Sequence, residues 1–231
     1  MVRAVVFDVG ETLIDETRIW SRWADRLGVS RFVMLGVLGG MAALDRSHRD
    51  AFEVVRPGLD VHAEMEAWRR DEPEGLRENF DAGDLYPDVR PGLTALREAG
   101  YELIIAGNQP PQAYDALVAM DLPVDSVHTS AGWGVSKPRP EFFAKVAAVA
   151  GREPGEILYV GDRLDNDVLP AREAGMRTAL LRRGPWGYLH AERPEARRAD
   201  AIVDGIPELA VALAAGRLRS DASAASPDNE R

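Results

Sequence analysis

Six short apolar segments recur along the chain, and most of them are separated by segments with helical periodicity. The apolar segments are rich in β-branched residues, as buried strands are, and they cover residues 3–8, 101–107, 125–130, 156–162, 177–183 and 200–204. The helical patterns, several with Pro at the start or Gly at the end, cover residues 91–100, 111–120, 140–151, 164–175 and 206–216. This alternation predicts an α/β fold in which a parallel sheet is flanked by helices on both faces.

Residues 16–85 break the alternation, because they show helical periodicity and no convincing strand. Within them Trp20, Trp23 and Leu27 follow a spacing that places them on one helical face. A helical insert directly after the first strand would stand over the carboxyl ends of the strands, where open α/β sheets bind ligands. We therefore predict a core of residues 1–15 and 86–216 and a helical cap of residues 16–85. The small, polar and charged tail, 217–231, is predicted to be disordered.

Composition and charge narrow the classes of function. The net charge of −10 without a Lys/Arg cluster argues against a nucleic-acid partner. The lack of cysteine excludes disulfides, thiolate catalysis and cysteine-based zinc sites. The longest apolar stretch, 32–44, is too short to span a bilayer and is expected to form a buried helix, with a dimer contact or an interfacial helix as alternatives. No signal-peptide pattern precedes the first strand, so we expect a cytoplasmic monomer or homodimer without a membrane partner.

The first two predicted strands end on polar or unusually small residues. Asp8 follows the first strand, at the edge where parallel sheets place their ligand crevice. Gly107 and Asn108 follow the second, where exposed backbone N–H groups and an amide are able to hold an anion. Taken singly, Asp8 is also compatible with a helix cap, and the Gly-Asn pair with a plain turn.

Two further clusters follow in the second half of the chain. Lys137 is one of only two lysines, against 26 arginines, which indicates a site that needs a compact ammonium group, although a surface lysine before a helix also accounts for it. Asp162 closes the fourth strand, and Asp165 and Asp167 follow in the next turn. Clustered carboxylates of this kind suit a hard cation such as Mg²⁺, although capping and solvation also account for them.

The order of these features resembles the haloacid dehalogenase (HAD) superfamily. The resemblance rests on five features in chain order: an Asp after the first strand, a helical insert, a small-residue/Asn turn, Lys-Pro before a helix, and then "GDRLDND". Within that superfamily the chain is similar to the phosphatase-like branch with a helical (C1-type) cap, and the resemblance extends over about residues 3–205. It implies a Rossmann-like α/β core with the cap inserted after the first motif.

The resemblance also implies roles for the motif residues. Asp8 matches the nucleophile, which forms an aspartyl-phosphate. Mg²⁺ would be held by Asp8, by the backbone carbonyl of Gly10 and by Asp162, with Asp167 supporting the metal shell. Lys137 matches the lysine that bridges nucleophile and phosphate and stabilises charge in the transition state.

Two positions depart from the family pattern, while Thr12 matches the threonine that orders the first loop. Gly10 stands where phosphatases carry a second Asp, the general acid and base, a contribution worth typically ~10²- to 10⁴-fold. Glu11, a cap residue or the substrate itself would then have to supply the proton. Gly107 replaces a Ser or Thr that binds phosphate, so its N–H and Asn108 are expected to serve instead.

The resemblance separates several chemistries. Phosphonate cleavage would need a cap lysine, and residues 16–85 contain none. The intact "GDRLDND" argues for a metal and against a dehalogenase. We therefore predict a Mg²⁺-dependent phosphatase of a small phosphorylated metabolite, with a catalytically weak or inactive binding protein as the alternative. The cap cations are expected to be mostly solvated, with one or two reaching substrate; they are Arg18, Arg22, Arg26, His48, Arg49 and Arg56.

Overall fold

A six-stranded parallel sheet lies at the centre of the computed structural model, which describes residues 1–218. Its strand order is β3-β2-β1-β4-β5-β6. The strands are β1 Ala4–Phe7, β2 Glu102–Gly107, β3 Ser126–Thr129, β4 Ile157–Gly161, β5 Arg177–Leu181 and β6 Ala201–Val203. Each lies within one of the six apolar segments, and every pairing is parallel, so the predicted α/β sheet is confirmed. Residues 219–231 lie outside the described residues, and the disordered tail stays a prediction.

The central strand β1 is apolar throughout because both faces of the sheet are covered there. Along β1, Val5 and Phe7 point into one hydrophobic cluster, whereas Ala4 and Val6 point into another on the opposite face. This alternation is the period of two that a strand imposes on its side chains. β1 lies between β2 and β4, so Phe7 pairs with residues of both neighbours, and the residue after it reaches the middle of the sheet edge.

Helices connect the strands and cover the two faces. They are α1 Thr17–Leu27, α2 Arg31–Ala43, α3 Asp50–Val55, α4 Val61–Asp71, α5 Val89–Glu98, α6 Pro111–Ala119, α7 Ser130–Trp133, α8 Pro140–Ala150, α9 Leu169–Glu173, α10 Gly184–Ala191 and α11 Ile206–Ala214. Four of the five predicted core helices match within two residues at each end. The fifth, 164–175, instead begins with a π-helical turn, Leu164–Val168, before α9. α10 was missed, because its Gly-Pro-Trp-Gly start is a poor helix signal.

The inserted segment carries α1 to α4 and a 3₁₀ turn, and within residues 16–85 the structure has no named strand. Trp20, Trp23 and Leu27 are all buried, as their spacing predicts. The Trp23 ring packs edge-on against Phe52 and Trp68, at centroid distances of 4.7 and 5.0 Å. These side chains belong to the same hydrophobic cluster as one face of the sheet, so the division into core and cap domains stays a prediction.

The apolar stretch 32–44 forms α2, but the expectation that this helix is buried holds for one face only. Met34 and Leu38 are buried, whereas Phe32 is 85% exposed and Leu44 is 66% exposed. The buried face of α2 is the one that packs against α1, α3 and α10. Among the described helices, no single one is long and apolar enough to cross a membrane. Helices α1 and α2 taken together have the length and composition of a membrane span, but the pair is bent by 119°.

Candidate active site

The carboxyl ends of β1, β2 and β4 place three of the predicted site residues at one edge of the sheet. Asp8 follows β1, Gly107 ends β2, and Asp162 follows β4. The backbone N–H of Asp8 donates to the carbonyl of Val160, 2.9 Å away, which extends the β1–β4 ladder into the site. A Cβ on Gly107 would lie 2.6 Å from Oδ1 of Asp8, so the absence of a side chain there lets the carboxylate rest against the β2 backbone.

Lys137 is buried between two carboxylates. Its Nζ lies 2.7 Å from Oδ1 of Asp8 and 2.6 Å from Oδ1 of Asp167. Burial by itself would lower the pKa of Lys137, but the charges of Asp167 and Asp8 raise it well above its ordinary value. The lysine is therefore a fixed positive charge, and it holds the Asp8 carboxylate in one orientation.

Three buried carboxylates share one small volume. Ligand oxygens of Asp8, Asp162 and Asp167 lie within 4.8 Å of one another. Burial, and to a smaller extent the charges of Asp167 and Asp8, raise the pKa of Asp162 well above its ordinary value. One ammonium group cannot balance three carboxylates, and the remaining oxygen donors are of the hard type that Mg²⁺ prefers. The residues present therefore fit a divalent cation.

Within this cluster Asp167 differs from the other two acids, because both of its oxygens are hydrogen-bonded. Oδ1 accepts from Lys137, and Oδ2 accepts from the backbone N–H of Arg163 at 3.0 Å. Burial raises the pKa of Asp167 to about 6, although Lys137 opposes the shift. A Cβ on Gly161 would lie 2.4 Å from the Asp167 carboxyl carbon, so the glycine of the Gly-Asp motif makes room for this side chain. Asp167 thus supports the cluster from its inner side.

Asn108 connects β2 to the loop that carries Lys137. Its Nδ2 donates to the carbonyl of Lys137 at 3.0 Å, and its Oδ1 accepts from the N–H of Lys137 at 2.8 Å. Both ends of the amide are therefore used to position the lysine backbone. The phosphate contact expected of Asn108 stays a prediction, and the structure adds a positioning role that sequence reasoning did not foresee.

Thr12 lies in the loop after β1 and is buried. Its carbonyl accepts from Nη1 of Arg183 at 2.7 Å, and Arg183 in turn pairs with Asp88 at 2.5 Å. Within residues 1–218 the Thr12 hydroxyl has no hydrogen-bond partner, so the backbone makes the polar contact that anchors this loop. Sequence reasoning missed Arg183 and Asp88, since nothing in the chain singles them out among its many arginines and aspartates.

Gly10 lies beside an acid that comes from another part of the loop. A Cβ on Gly10 would stand only 2.3 Å from Oε1 of Glu16, so this carboxyl fills the space that a side chain at position 10 would need. Oε2 of Glu16 accepts from the Trp20 indole N–H at 3.0 Å. Burial, followed by the charge of Glu11, raises the pKa of Glu16 to about 7. Sequence reasoning missed Glu16, whose only signal is its position just before α1.

Glu11, which the sequence offered as a proton donor, is held by other groups. Its Oε1 accepts from the backbone N–H of Glu16 at 3.2 Å, and its Oε2 accepts from the Tyr86 hydroxyl. Its backbone adopts a left-handed φ of 49°, unusual for a residue with a side chain. Burial raises the pKa of Glu11, while these two hydrogen bonds lower it. The left-handed turn folds the chain back so that Glu16 reaches the site.

A cleft of about 1010 Å³ opens above these residues, between the sheet edge and the inserted helices. His48 and Arg49 line it from the helical side, and contact of a cap residue with substrate stays a prediction. Burial, followed by the charge of Arg163, lowers the pKa of His48 to about 4, so its imidazole is neutral near pH 7.

Three of the other cap cations hold the insert together. Arg18 pairs with Asp84 at 2.6 Å, and Arg26 pairs with Glu64 at 2.6 Å. Arg22 donates to backbone carbonyls of the segment before the 3₁₀ turn. Of the six predicted candidates, the structure therefore brings His48 and Arg49 into the cleft and gives Arg18, Arg22 and Arg26 structural partners.

Sequence comparisons identify proteins to which this chain is similar. A family model of haloacid dehalogenase-like hydrolases matches residues 2–175. Glyceraldehyde 3-phosphate phosphatase of Methanopyrus kandleri is 30% identical over 210 residues, which cover 80% of this chain and 86% of the relative. Phosphoglycolate phosphatase of Vibrio vulnificus is 25% identical over 225 residues, which cover 90% and 94% of the two chains.

Solved structures share the fold at lower identity. A HAD phosphatase from Thermococcus onnurineus superposes with a TM-score of 0.55 at 24% identity, covering 95% of this chain and 100% of the other. The L-2-haloacid dehalogenase of Xanthobacter autotrophicus gives 0.61 at 22% identity, covering 93% and 99%. Since a phosphatase and a dehalogenase both superpose, the fold alone does not discriminate between the two chemistries.

Proposed function

Since the chain belongs to the haloacid dehalogenase-like hydrolases, with residues 2–175 matching the family, we propose that it is a Mg²⁺-dependent phosphatase of a small phosphorylated metabolite. The observation that carries the proposal is the buried cluster of Asp8, Asp162 and Asp167 around Lys137. The two relatives, named as phosphatases of glyceraldehyde 3-phosphate and phosphoglycolate, support the same reaction.

The residues of the cluster would divide the work as follows. An Asp8 oxygen attacks phosphorus, and the aspartyl-phosphate is then hydrolysed by water. Lys137 stabilises the charge that builds on the phosphoryl oxygens, and because it is already held by two carboxylates, little reorganisation is needed. Mg²⁺, bound by Asp8, the Gly10 carbonyl and Asp162, would neutralise phosphate charge and let one anion approach another. Asp167 orients Lys137 and supports the acidic cluster.

The chemistry of the cluster favours phosphate over a halogenated acid. Displacement of halide from carbon needs a carboxylate nucleophile but no excess of negative charge around it. Here three buried carboxylates lie close together and one ammonium group pairs with two of them, an arrangement that a divalent cation would offset. We therefore favour phosphate ester hydrolysis over dehalogenation as the reaction of this site.

The cleft suggests which kind of metabolite binds. Arg49 lines it and, within residues 1–218, forms no ion pair, while His48 beside it is neutral and offers a polar ring. A cation free of a protein partner is suited to a second anionic group on the substrate. We infer that the substrate carries a carboxylate or a hydroxylated head group in addition to its phosphate.

A catalytically weak binding protein remains the second candidate, because Gly10 and Gly107 lack the side chains that phosphatases of this family carry there. Its distinguishing feature would be metabolite binding without turnover. The close packing of Glu16 on Gly10 and of Asp8 on Gly107 counts against simple loss of function, because neighbouring groups fill both positions.

A phosphatase screen tests the proposal. The chain is assayed on a panel of sugar, acid and alcohol phosphates, with Mg²⁺ and with EDTA, beside an Asp8→Asn variant whose fold is checked by circular dichroism. We expect phosphate release that needs both Mg²⁺ and Asp8. Turnover that survives EDTA or Asp8→Asn would contradict the mechanism, and binding without release would favour the second candidate.

A further inference from the structure

Hydrolysis of an alkyl phosphate requires a proton donor that the proposed cluster does not contain. When the ester bond breaks, its electron pair stays on an alkoxide oxygen, which is a poor leaving group unless it is protonated. Lys137 is held by two carboxylates, and Asp8, Asp162 and Asp167 are occupied as nucleophile and acidic cluster. A donor supplied by the protein must therefore be another group that lines the cleft.

We propose that Glu16 is the general acid and base of this site, its carboxyl standing in the space beside Gly10. This inference rests on the proposed phosphatase function and names a catalytic residue for it. Oε1 of Glu16 lies 2.3 Å from the position of a Cβ on Gly10, so it occupies the volume that an acidic side chain at position 10 would fill. Glu16 lines the same cleft as Asp8.

The hydrogen bonds around Glu16 leave one oxygen available. Oε2 accepts from the Trp20 indole at 3.0 Å, which fixes the orientation of the carboxyl. Within the described chain, 1–218, no group donates to Oε1. A carboxyl held at one oxygen and open at the other is arranged to exchange a proton with a ligand in the cleft.

The other acids of the cleft are less suited. Glu11 accepts from Tyr86 and from the Glu16 N–H, one bond at each oxygen. Asp165 has both oxygens bonded to Arg163, at 3.0 and 2.6 Å. Asp15 accepts from the N–H of Thr17, the first residue of α1, at 2.8 Å. Outside the chain neighbours of Gly10, the three atoms nearest to a Cβ at that position all belong to Glu16.

The two half-reactions balance around Glu16. In the first, an Asp8 oxygen bonds to phosphorus, the bond from phosphorus to the ester oxygen breaks, and that oxygen takes the Glu16 proton and leaves as an alcohol. In the second, Glu16 takes a proton from water as the water oxygen bonds to phosphorus. The bond from phosphorus to Asp8 then breaks, phosphate leaves, and both side chains return to their starting states.

The test compares esters whose leaving groups differ in their need for a proton. In Glu16→Gln we expect kcat/KM for an alkyl phosphate to fall ~10²- to 10⁴-fold, because this constant includes the first step. For 4-nitrophenyl phosphate kcat/KM should change much less, since the phenolate leaves unprotonated. The kcat for this aryl ester should fall, because no base activates the water that hydrolyses the aspartyl-phosphate. The intermediate then accumulates, and a burst of one equivalent of 4-nitrophenolate should precede slow turnover. Asp15→Asn is the matched control and should keep the wild-type ratio between the two esters.

A second variant pair tests the position of the carboxyl. Gly10→Asp alone should bring no gain, because the new side chain displaces the Glu16 carboxyl. Gly10→Asp/Glu16→Ala should recover alkyl phosphate turnover relative to Glu16→Ala, since the space beside residue 10 is then free for the new acid.

Three outcomes would overturn the assignment. They are an equal loss on both esters in Glu16→Gln, a selective loss in Glu11→Gln instead, and a folded double variant that does not exceed Glu16→Ala. Wild-type chain that shows no Asp8-dependent turnover of 4-nitrophenyl phosphate would instead refute the phosphatase function, and the Glu16 assignment with it.

Discussion

Replacing Lys137 by methionine should destabilise the chain more than any exposed substitution, because it removes a buried cation that lies between two buried carboxylates. The side chain of Lys137 is fully buried, as is that of Asp167, and Asp8 is 7% exposed overall. Removing one partner of a buried ion pair costs about 3–5 kcal/mol, since the remaining charge is left unpaired. Methionine keeps the packing against Phe142 and Tyr159, so the loss measures charge rather than volume.

The loss should depend on pH, and the direction follows from Asp167. Burial raises its pKa to about 6 even with Lys137 present, and removal of the lysine raises it further. Between pH 8 and pH 5 the folded variant therefore takes up a proton that the unfolded chain, with an ordinary carboxyl pKa near ~3.9, does not. Proton uptake by the folded state stabilises it, so the deficit of Lys137→Met should shrink on acidification.

Urea unfolding in EDTA at pH 8 and pH 5 measures both effects. Lys145→Met is the matched control, since Lys145 is the other lysine of the chain and is exposed on α8. We expect Lys137→Met to lower the free energy of unfolding by about 3–5 kcal/mol at pH 8 and by less at pH 5. Lys145→Met should change it little at either pH. Equal losses for the two variants, or a Lys137→Met loss independent of pH, would refute the view of Lys137 as a buried counter-charge.

Three further predictions concern the metal, a buried histidine and the cleft. Asp162→Asn should weaken Mg²⁺ binding in titration calorimetry by more than ~10-fold, and unchanged affinity would exclude Asp162 as a ligand. Burial lowers the pKa of His190 to about 4, and its Nδ1 accepts from the Leu164 N–H at 3.0 Å. At His190 the unfolded chain therefore binds more protons than the folded chain between pH 6.5 and 4, so this residue alone should lower the free energy of unfolding on acidification by up to about 3 kcal/mol. His190→Asn should flatten this slope in urea titrations; an unchanged slope would contradict the assignment. Arg49→Ala should raise KM roughly 10-fold for a phosphate ester that also carries a carboxylate, but not for 4-nitrophenyl phosphate; equal changes for both would remove Arg49 from substrate recognition.

The amino-acid sequence alone indicates where the sheet lies and which strand ends carry chemistry. β1 is recognisable as an unbroken apolar run, and Asp8 is recognisable because that run stops on an acid. Parallel strands bring their carboxyl ends to one edge, so the proximity of Asp8 and Asp162 follows from the strand pattern once the sheet is parallel. These inferences succeed because strand periodicity and chain ends are local properties.

Only the tertiary structure decides which side chains meet. Glu16 reaches the space beside Gly10 because a left-handed turn at Glu11 folds the loop back, and a conformation of that kind leaves no periodic signal in the chain. Arg183 meets the carbonyl of Thr12 across 171 positions, and no local pattern encodes such a pairing. The exposed outer face of α2 is a further case, since its apolar residues continue around the helix while neighbouring elements cover one side only. Local patterns specify elements through backbone geometry, whereas hydrogen-bond partners and burial depend on distances that exist only after the elements have packed.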